Sequence, residues 1–314
     1  MLNIQPGTRA GRPPALLAAL LLLACLALPA ARAADTMEFR HTLGSTTVPL
    51  HPKRIVTFDL SILDSIDRLG VQDLLFAVPK QAMPPYLARY KGADILDAGG
   101  MKEPNLERIY EFAPDVIFIS ARQTDYYDKL SAIAPTVCAN VEYTDFLPSF
   151  RRNMLSLGEL FGIGDKAASL ADEIIAAAES TAAKAAASGK TGLIVMVNDG
   201  SLSAYGRGSR FGLIHDVLAV APADPGIKAS THGQSVDFEY IARIDPDVLF
   251  IINRNVAIGT NGTSTVLDND LIRATKAGRA GKIVSLDSAV WYLSGAGLES
   301  LEIMVGEVDR ALDD

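Results

Sequence analysis

Residues 105–122 of the chain read NLERIYEFAPDVIFISAR, and residues 237–254 read DFEYIARIDPDVLFIINR. The two stretches share a glutamate near the start, a Pro-Asp pair in the middle and an arginine at the end, each 132 positions apart. In both, a segment with helical spacing precedes Pro-Asp and an apolar run rich in Val and Ile follows it. The pair predicts the same helix, turn and strand built twice, once in each half of the chain.

The sequence around this repeat alternates short β-branched runs with helical segments. Strands are predicted at residues 54–58, 116–119, 135–139, 192–197, 248–252 and 283–286, and a helix at 61–69 that ends at Gly70. Strand signals are absent between residues 150 and 188. There the alanine-rich stretch KAASLADEIIAAAESTAAKAAAS predicts a helix of about six turns, with Asp165 as its N-cap and Gly189 as its end.

This pattern predicts an α/β fold with two parallel-sheet lobes, one long backbone helix joining them, and a ligand cleft between the lobes. The predicted segments are a signal peptide (1–33), an N-terminal α/β lobe (34–149), a linking helix region (150–189) and a C-terminal α/β lobe (190–314). Ligands of parallel sheets bind beyond the carboxyl ends of the strands. Arg122 and Arg254 lie just past two such ends, which predicts facing arginines suited to an anionic small molecule.

The N-terminus has the features of an export signal. Arg9 and Arg12 precede an apolar run over residues 15–28, and Ala-Arg-Ala follows at residues 31–33. The run is shorter than the roughly 20 residues that a membrane-spanning helix needs. We therefore expect a periplasmic protein. The alternative is lipid anchoring at Cys25, since Leu-Leu-Ala-Cys has the form of a lipobox, but the residues after it stay apolar.

Charge and cysteine content exclude several kinds of partner. The chain carries a net charge of −8, and loss of residues 1–33, which contain three arginines and no acidic residue, would make it −11. Such a charge disfavours nucleic acids and anionic membranes. After export only Cys138 would remain, so no intramolecular disulfide is possible, and its apolar surroundings (PTVCANV) predict a buried small hydrophobe.

Several segments resemble one family. They are GSTTVPLHPKRIVTFDLSILDSIDRLG, EPNLERIYEFAPDVIFIS, the spacer helix, YGRGSRFGLIHDVLAV and VWYLSGAG. Residues 42–310 as a whole resemble the helical-backbone substrate-binding proteins of bacterial ABC importers for iron–siderophore complexes. The similarity is greatest to the branch that takes up catecholate siderophores of the petrobactin or tetradentate enterobactin type.

The resemblance implies a set of ligand-binding residues. His232, in STHGQSVDFE, and Tyr292, in WYLSG, correspond to the two protein ligands of the siderophore's Fe(III). Arg122, Arg210 and Arg254 correspond to the arginines around the catecholate oxygens. Fe(III) is a hard cation that favours anionic oxygen donors such as a phenolate. A tetradentate catecholate leaves two octahedral positions open, which one His and one Tyr would fill.

The resemblance also implies partners. Glu107 and Glu239 are similar to the glutamates that dock on basic residues of the membrane permease. The implied protein is a monomer with no intrinsic cofactor, its ligand being the Fe(III)-siderophore. A plainer interpretation of both glutamates is that each interacts with a helix dipole from the first turn.

Each ligand-binding residue also has a plainer interpretation. His232 would be an exposed loop histidine, Tyr292 a half-buried aromatic at a strand end, and Arg210 a partner of Asp216. Of the other histidines, His41 and His51 fall before the first predicted strand, and His215 on a helix starting near Phe211. No two of these histidines have the close spacing of a zinc site in the sequence, which disfavours a dedicated zinc or manganese receptor.

Two other functions stay open. An exported enzyme is weakly supported, since Ser209 and Ser294 lie among glycines but neither fits G-x-S-x-G. A haem- or corrinoid-binding protein of the same fold is the stronger alternative, because His and Tyr both serve as haem axial ligands and arginines also pair with propionates.

Overall fold

The computed structural model describes residues 1–3, 7, 35–81, 83–92, 94–260 and 269–313. Thr36–Asp314 forms one compact unit. Of Met1–Asp35 only residues 1–3, 7 and 35 are described, so the predicted signal peptide and Cys25 lie outside the described residues. Within the described part of the chain, no helix is both long and apolar enough to cross a bilayer.

The strands are β1 Thr36–His41, β2 Gly44–Pro49, β3 Ile55–Thr57, β4 Leu75–Val78, β5 Leu96–Asp97, β6 Val116–Ile119, β7 Thr136–Cys138, β8 Thr191–Asn198, β9 Ser201–Tyr205, β10 Ala221–Pro222, β11 Gln234–Val236, β12 Val248–Asn253 and β13 Ile283–Ser285. The α-helices are α1 Leu60–Leu69, α2 Leu106–Phe112, α3 Tyr127–Ser131, α4 Phe146–Phe161, α5 Gly164–Ser188, α6 Leu213–Asp216, α7 Phe238–Ile244, α8 Arg254–Ala257, α9 Asp270–Arg273, α10 Lys276–Arg279 and α11 Leu298–Ala311. Turns of 3₁₀-helix include Pro85–Lys91 and Ala121–Tyr126, and Val290–Ser294 forms one turn of π-helix.

The first half is built on a five-stranded sheet in the order β5-β4-β3-β6-β7, and every pairing in it is parallel. Buried Val and Ile of β3 and β6 pack on both of its faces. The predicted α/β class with parallel strands is therefore confirmed, and Cys138 is buried in β7 as expected.

The second half contains a sheet in the order β11-β9-β8-β12-β13, with β10 also paired to β8. Strands β8, β12 and β13 are parallel, but β9 runs antiparallel to β8 and to β11. The reversal occurs at Asp199 and Gly200, whose φ angles are 48° and 80°. Two consecutive positive φ values are typical of the tight hairpin turn that Asp-Gly favours. The sequence analysis does not use this Asp-Gly signal and predicts a parallel sheet in the second half. The observed sheet is mixed.

An N-terminal hairpin of β1 and β2 was not predicted either. His41 is not in a segment before the first strand, because it ends β1. The hairpin packs against the first sheet: the rings of Phe39 and Phe118 lie 6.0 Å apart, and the Thr42 amide donates to the Cys138 carbonyl at 3.3 Å.

Two packed helices connect the halves. The longer one, α5, ends at Gly189 in the left-handed conformation, as predicted. The predicted N-cap is wrong, because the helix begins at Gly164 and Asp165 lies in its first turn, where its charge still suits the helix dipole. The predicted boundaries between the two lobes (34–149 and 190–314) and the linking helix region (150–189) stay a prediction.

The repeated sequences fold alike. Asn105 caps α2 and Asp237 caps α7, each accepting from a backbone amide of the first turn. The aspartate of each Pro-Asp pair then binds the start of a neighbouring strand: Asp115 accepts from the Arg54 amide at 3.0 Å, and Asp247 from the Thr191 amide at 2.9 Å. Each Pro-Asp pair thus follows the end of a helix, and its aspartate joins the start of the following strand to the start of a neighbouring strand.

The C-terminal helix returns to the first half of the chain. It packs against both α5 and α1, with Leu301, Met304 and Val308 buried in the core that contains residues of both sheets. The segment that leads into this helix lies between the two halves, and it carries Tyr292.

Candidate functional site

Two of the predicted site residues begin helical turns at the carboxyl ends of strands. Arg122 follows β6 in a 3₁₀ turn capped by the Ser120 side chain. Arg254 follows β12 at the start of α8, which the Asn253 side chain caps. Since a cap fixes the first turn after the strand, both guanidinium groups are held at the sheet edges where ligands of α/β proteins bind.

Tyr292 lies where these arginines converge. Arg122 Nη2 donates to the Tyr292 carbonyl oxygen at 2.6 Å, and Arg210 Nη2 donates to the same oxygen. Arg254 Nε donates to the Tyr292 hydroxyl at 3.0 Å, and its Nη1 donates to Asn198 Oδ1 at 3.0 Å. Tyr292 is therefore surrounded by one cation from the first half of the chain and two from the second.

The tyrosine ring is also within cation–π distance of all three guanidinium groups. The Cζ atom of Arg210 lies 4.1 Å from the ring centroid, and those of Arg122 and Arg254 lie 5.8 Å from it. Arg210 does not pair with Asp216, contrary to the plainer interpretation of its sequence position. Asp216 instead binds Arg207 at 3.3 Å.

Tyr292 lies in a single turn of π-helix. The Gly295 amide donates to the Val290 carbonyl at 2.8 Å, which closes the wider turn of Val290–Ser294. Within this turn the Tyr292 carbonyl accepts from the two arginine side chains. Single turns of π-helix are frequent at functional sites.

The electrostatics favour ionisation of Tyr292. Burial alone would raise the pKa of its phenol, but the Arg254 hydrogen bond and the charges of Arg210 and Arg254 outweigh burial and lower the pKa below its ordinary value. Burial, and then the charge of Arg210, lowers the pKa of Arg122. An arginine stays protonated in proteins even so, and the site therefore has an excess of positive charge suited to an anion.

A cleft of about 280 Å³ opens beside these residues. It is lined by Asp59, Ser61, Ser120, Ala121, Arg122, Ala139, Asn140, Val141, Tyr143, Phe146, Arg210, Leu213, Thr231, Trp291, Tyr292, Leu293, Ser294, Gly295, Ala296 and Met304. Both halves contribute to this lining, and it mixes apolar side chains with a few convergent polar groups. Small-molecule sites have this composition, with volumes from about 300 Å³ upward.

A larger cavity, of about 470 Å³, lies elsewhere in the first half and includes Asp67, Arg89 and Tyr90 in its lining. Its one arginine is already paired, since Asp67 accepts from both Arg89 and Tyr90. The smaller cleft is the better candidate site because its lining comes from both halves and its positive charges exceed the negative ones.

Arg254 is not part of the cleft lining and is joined to it through the Tyr292 hydroxyl, and His232, Glu107 and Glu239 do not line the cleft either. His232 is exposed in a loop and its amide donates to Ser230 Oγ at 3.3 Å, although its neighbour Thr231 is part of the lining. Glu107 and Glu239 lie exposed in the first turns of α2 and α7, as predicted. The structure brings Arg122, Arg210, Arg254 and Tyr292 together and leaves these three residues outside the group.

Sequence analysis missed several polar residues at the site, among them Asp59, Asn140 and Tyr143 of the cleft lining and Asn198, which accepts from Arg254. Asp59 lies just past β3 and Asn140 just past β7, while Asn198 is the last residue of β8. The carboxyl-end rule that singled out Arg122 would have found these three. Asp59 is buried, which raises the pKa of its carboxyl, while Arg122 acts in the opposite direction.

Within the described residues, no group of three or more His, Cys, Asp or Glu side chains is arranged to hold a metal ion. His215 is buried, and its Nδ1 lies 2.8 Å from the Val220 carbonyl oxygen. Burial lowers the pKa of this imidazole, so it is a neutral core residue at pH 7.

Two α/β halves joined by packed helices, with a cleft lined by residues of both, form the architecture of a substrate-binding protein. Residues 55–290 match the family described as periplasmic binding protein, and the chain belongs to this family.

Three relatives are particularly similar. The petrobactin-binding protein YclQ of Bacillus subtilis is 44% identical over 286 residues, which cover 89% of each chain. Its crystal structure matches 89% of this chain and 99% of its own with a TM-score of 0.87. The ferric-anguibactin-binding protein FatB of Vibrio anguillarum is 33% identical, with 85% of each chain covered. The periplasmic catecholate-siderophore binding protein VctP of Vibrio cholerae is 31% identical, with 88% of this chain and 100% of that chain covered and a TM-score of 0.84.

Proposed function

We propose that this protein captures a ferric siderophore outside the cytoplasm, with catecholates as the preferred class, and delivers it to the permease of an ABC importer. The observation that carries the proposal is the convergence of Arg122, Arg210 and Arg254 on Tyr292, which lines a cleft shared by both halves. The relatives named for petrobactin, ferric-anguibactin and catecholate siderophores support the same class of ligand.

The charge of the site suits such a ligand. Four catecholate oxygens carry four negative charges against three on Fe(III), so the complex is an anion whose oxygens accept hydrogen bonds. Guanidinium groups donate charge-assisted bonds to oxygen anions, and their partial burial strengthens the interaction because water screens it less. The net charge of −8 for the whole chain does not oppose binding, since the nearby arginines outweigh distant charges.

Tyr292 and His232 are the proposed protein ligands of the siderophore's iron. A phenol whose pKa is already lowered loses its proton more readily to a hard cation, which favours Tyr292 as a phenolate donor. His232 has an exposed side chain and follows Thr231 of the cleft lining, so its loop is the one that would have to carry the imidazole to a ligand in the cleft.

Glu107 and Glu239 are the proposed contacts to the permease. They occupy equivalent first-turn positions in the repeated helices, and neither is joined by an ion pair to another described residue. An exposed carboxylate in each half of the chain gives two matched anchoring points for basic residues of a membrane partner.

The function is tested by titration of the protein's intrinsic fluorescence. Trp291 is the only tryptophan in the chain and lines the cleft beside Tyr292, so a bound ferric catecholate should quench its emission. The panel contains ferric catecholates, ferric hydroxamates, ferric citrate and haem. We expect the tightest binding for a catecholate, together with a broad visible charge-transfer band. Tightest binding of haem with a sharp Soret band would instead establish the haem alternative.

Matched arginine variants make the test specific to the site. Arg254→Gln removes a charge-assisted bond and should weaken ferric-catecholate binding by at least about tenfold. Arg151→Gln removes the same charge from an exposed pair with Asp172 on the connecting helices and should leave the affinity unchanged. Equal losses in the two variants would overturn the assignment of the site.

A further inference from the structure

The N-terminus of α11 is capped by a residue from the other half of the chain. Gly297 occupies the N-cap position but has no side chain with which to accept a hydrogen bond. Asp64 of α1 takes that role: its Oδ1 accepts from the Glu299 amide and its Oδ2 from the Ser300 amide, both at 2.8 Å. Asp64 is completely buried, so its carboxylate satisfies amides that no water reaches.

The same carboxylate is linked to the π-helical turn. The Tyr86 hydroxyl lies 3.1 Å from Asp64 Oδ2 and 2.9 Å from Ser294 Oγ. The Ser61 hydroxyl donates to the Ser294 carbonyl. Burial, and then the charge of Asp64, raises the pKa of Tyr86 far above its ordinary value, so the phenol remains a hydrogen-bond donor. Three side chains of the first half thus surround the end of the turn that carries Tyr292.

Gly297 is required by this arrangement because of space. Its φ of −91° is open to any residue. A Cβ atom there, however, would lie 2.5 Å from Asp64 Cγ and 2.5 Å from the Ser61 carbonyl oxygen. Contacts this short cannot be accommodated without moving α1 away from α11. Glycine at this position therefore allows the close approach of Asp64 to the helix N-terminus.

We propose that Asp64, Tyr86 and Ser61 are positioning residues for ligand binding, which hold the Val290–Ser294 turn against the first half so that Tyr292 meets arginines of both halves. The proposal rests on the proposed function, in that Tyr292 contacts the ligand. Arg122 reaches the Tyr292 carbonyl from the first half, whereas Arg210 and Arg254 approach from the second. Without the link between Ser294 and α1, the turn could follow the second half alone and separate from Arg122.

A matched pair of variants tests the proposal. Tyr86→Phe removes the hydroxyl that joins Asp64 to Ser294. Tyr90→Phe removes a hydroxyl from the same 3₁₀ turn that binds Asp67 instead and does not reach the π-helical turn. Each variant loses one tyrosine hydroxyl bound to an aspartate of α1, so a general loss of stability affects both.

The readout is Trp291, which is 3% exposed and lies within the positioned turn. We expect Tyr86→Phe to increase acrylamide quenching of Trp291 in the absence of any ligand, and to weaken ferric-catecholate binding by about fivefold, the effect of one hydrogen bond. Tyr90→Phe should change neither quantity. Unchanged Trp291 quenching in Tyr86→Phe, or equal effects in both variants, would overturn the proposal.

A second variant guards against misfolding. Ser61→Ala removes the donor to the Ser294 carbonyl while leaving Asp64 and the α11 cap in place, and should affect Trp291 in the same direction as Tyr86→Phe. If the wild type binds no ferric siderophore, the proposed function fails. The acrylamide experiment still decides the positioning role, because it needs no ligand.

Discussion

At the scale of single residues, the site is organised around one tyrosine. Tyr292 uses its carbonyl for Arg122 and Arg210, its hydroxyl for Arg254, and its ring as a surface over which all three guanidinium groups lie. The backbone carbonyl and the phenol hydroxyl of Tyr292 therefore hold the three guanidinium groups around one residue, where an anionic ligand can also accept hydrogen bonds from them. A phenylalanine would keep the carbonyl contacts and lose the hydroxyl, which makes the two contributions separable.

We predict that Tyr292→Phe and His232→Ala weaken binding of a tetradentate ferric catecholate by at least about tenfold, and of a hexadentate one by less than about threefold. The hexadentate ligand already fills the six positions around iron, so protein ligands add little to it. Fluorescence titration of each variant with both complexes provides the comparison.

Tyr143→Phe is the control, because Tyr143 also lines the cleft but makes no hydrogen bond to the three arginines. It should affect both complexes equally and slightly. Equal losses for tetradentate and hexadentate ligands in Tyr292→Phe and His232→Ala would exclude direct coordination.

At the scale of secondary-structure elements, the contact of α1 with α11 brings together residues more than 230 positions apart in the chain. Burial raises the pKa of Asp64 to about 6, against the opposing effect of its hydrogen bonds to Ser300, Glu299 and Tyr86. In the unfolded chain this carboxyl has a pKa of about 3.9. The folded protein thus binds the Asp64 proton more tightly than the unfolded chain does.

The consequence is a pH-dependent stability. The contribution of Asp64 is fully present below about pH 4 and is lost as the pH rises through about 6, and the difference in pKa corresponds to roughly 3 kcal/mol. We predict that the free energy of unfolding of the wild type falls by that amount relative to Asp64→Asn between pH 4 and pH 7.5. Urea denaturation at several pH values measures this difference.

Asp172→Asn is a control of opposite sign. The hydrogen bond from Arg151 lowers the pKa of this exposed carboxyl, so its contribution to stability appears as the pH rises. The stability of the wild type relative to Asp172→Asn should therefore increase with pH. A wild-type advantage over Asp64→Asn that is constant from pH 4 to pH 7.5 would contradict the raised pKa of the buried Asp64 carboxyl.

At the scale of the whole molecule, the sequence predicts what is local or repeated. The two copies of the helix, Pro-Asp turn and strand are confirmed because caps and apolar periodicity lie within a short window. The β8–β9 hairpin also has a local signal, Asp199-Gly200, although the alternation of strands and helices around it favours parallel strands. The link from Asp64 to α11 has no local signal at all, since Asp64 lies within an ordinary amphipathic helix.

The residues of the candidate site also divide into those with a local or repeated sequence signal and those without one. Arg122 and Arg254 were predicted from the repeat, because a position after a strand fixes where a side chain emerges. Arg210 and Tyr292 followed only from the family resemblance, and the structure places both with the repeat arginines. His232 is exposed, as the plainer interpretation of its polar loop predicts, and its role as an iron ligand stays a prediction that follows from the family resemblance alone.

The repeat also leads to a prediction about the assembled transporter. Glu107 and Glu239 lie in the first turns of equivalent helices of the two halves, and neither is among the residues that line the cleft. We predict that Glu107→Ala combined with Glu239→Ala abolishes uptake of radiolabelled ferric siderophore by cells that lack their own copy of the gene. The affinity of the purified double variant for the ligand should equal that of the wild type. Glu159→Ala combined with Glu179→Ala removes the same charge from exposed positions of the connecting helices and should leave uptake intact. A fall in ligand affinity that matches the fall in uptake would place Glu107 and Glu239 in ligand binding instead of docking.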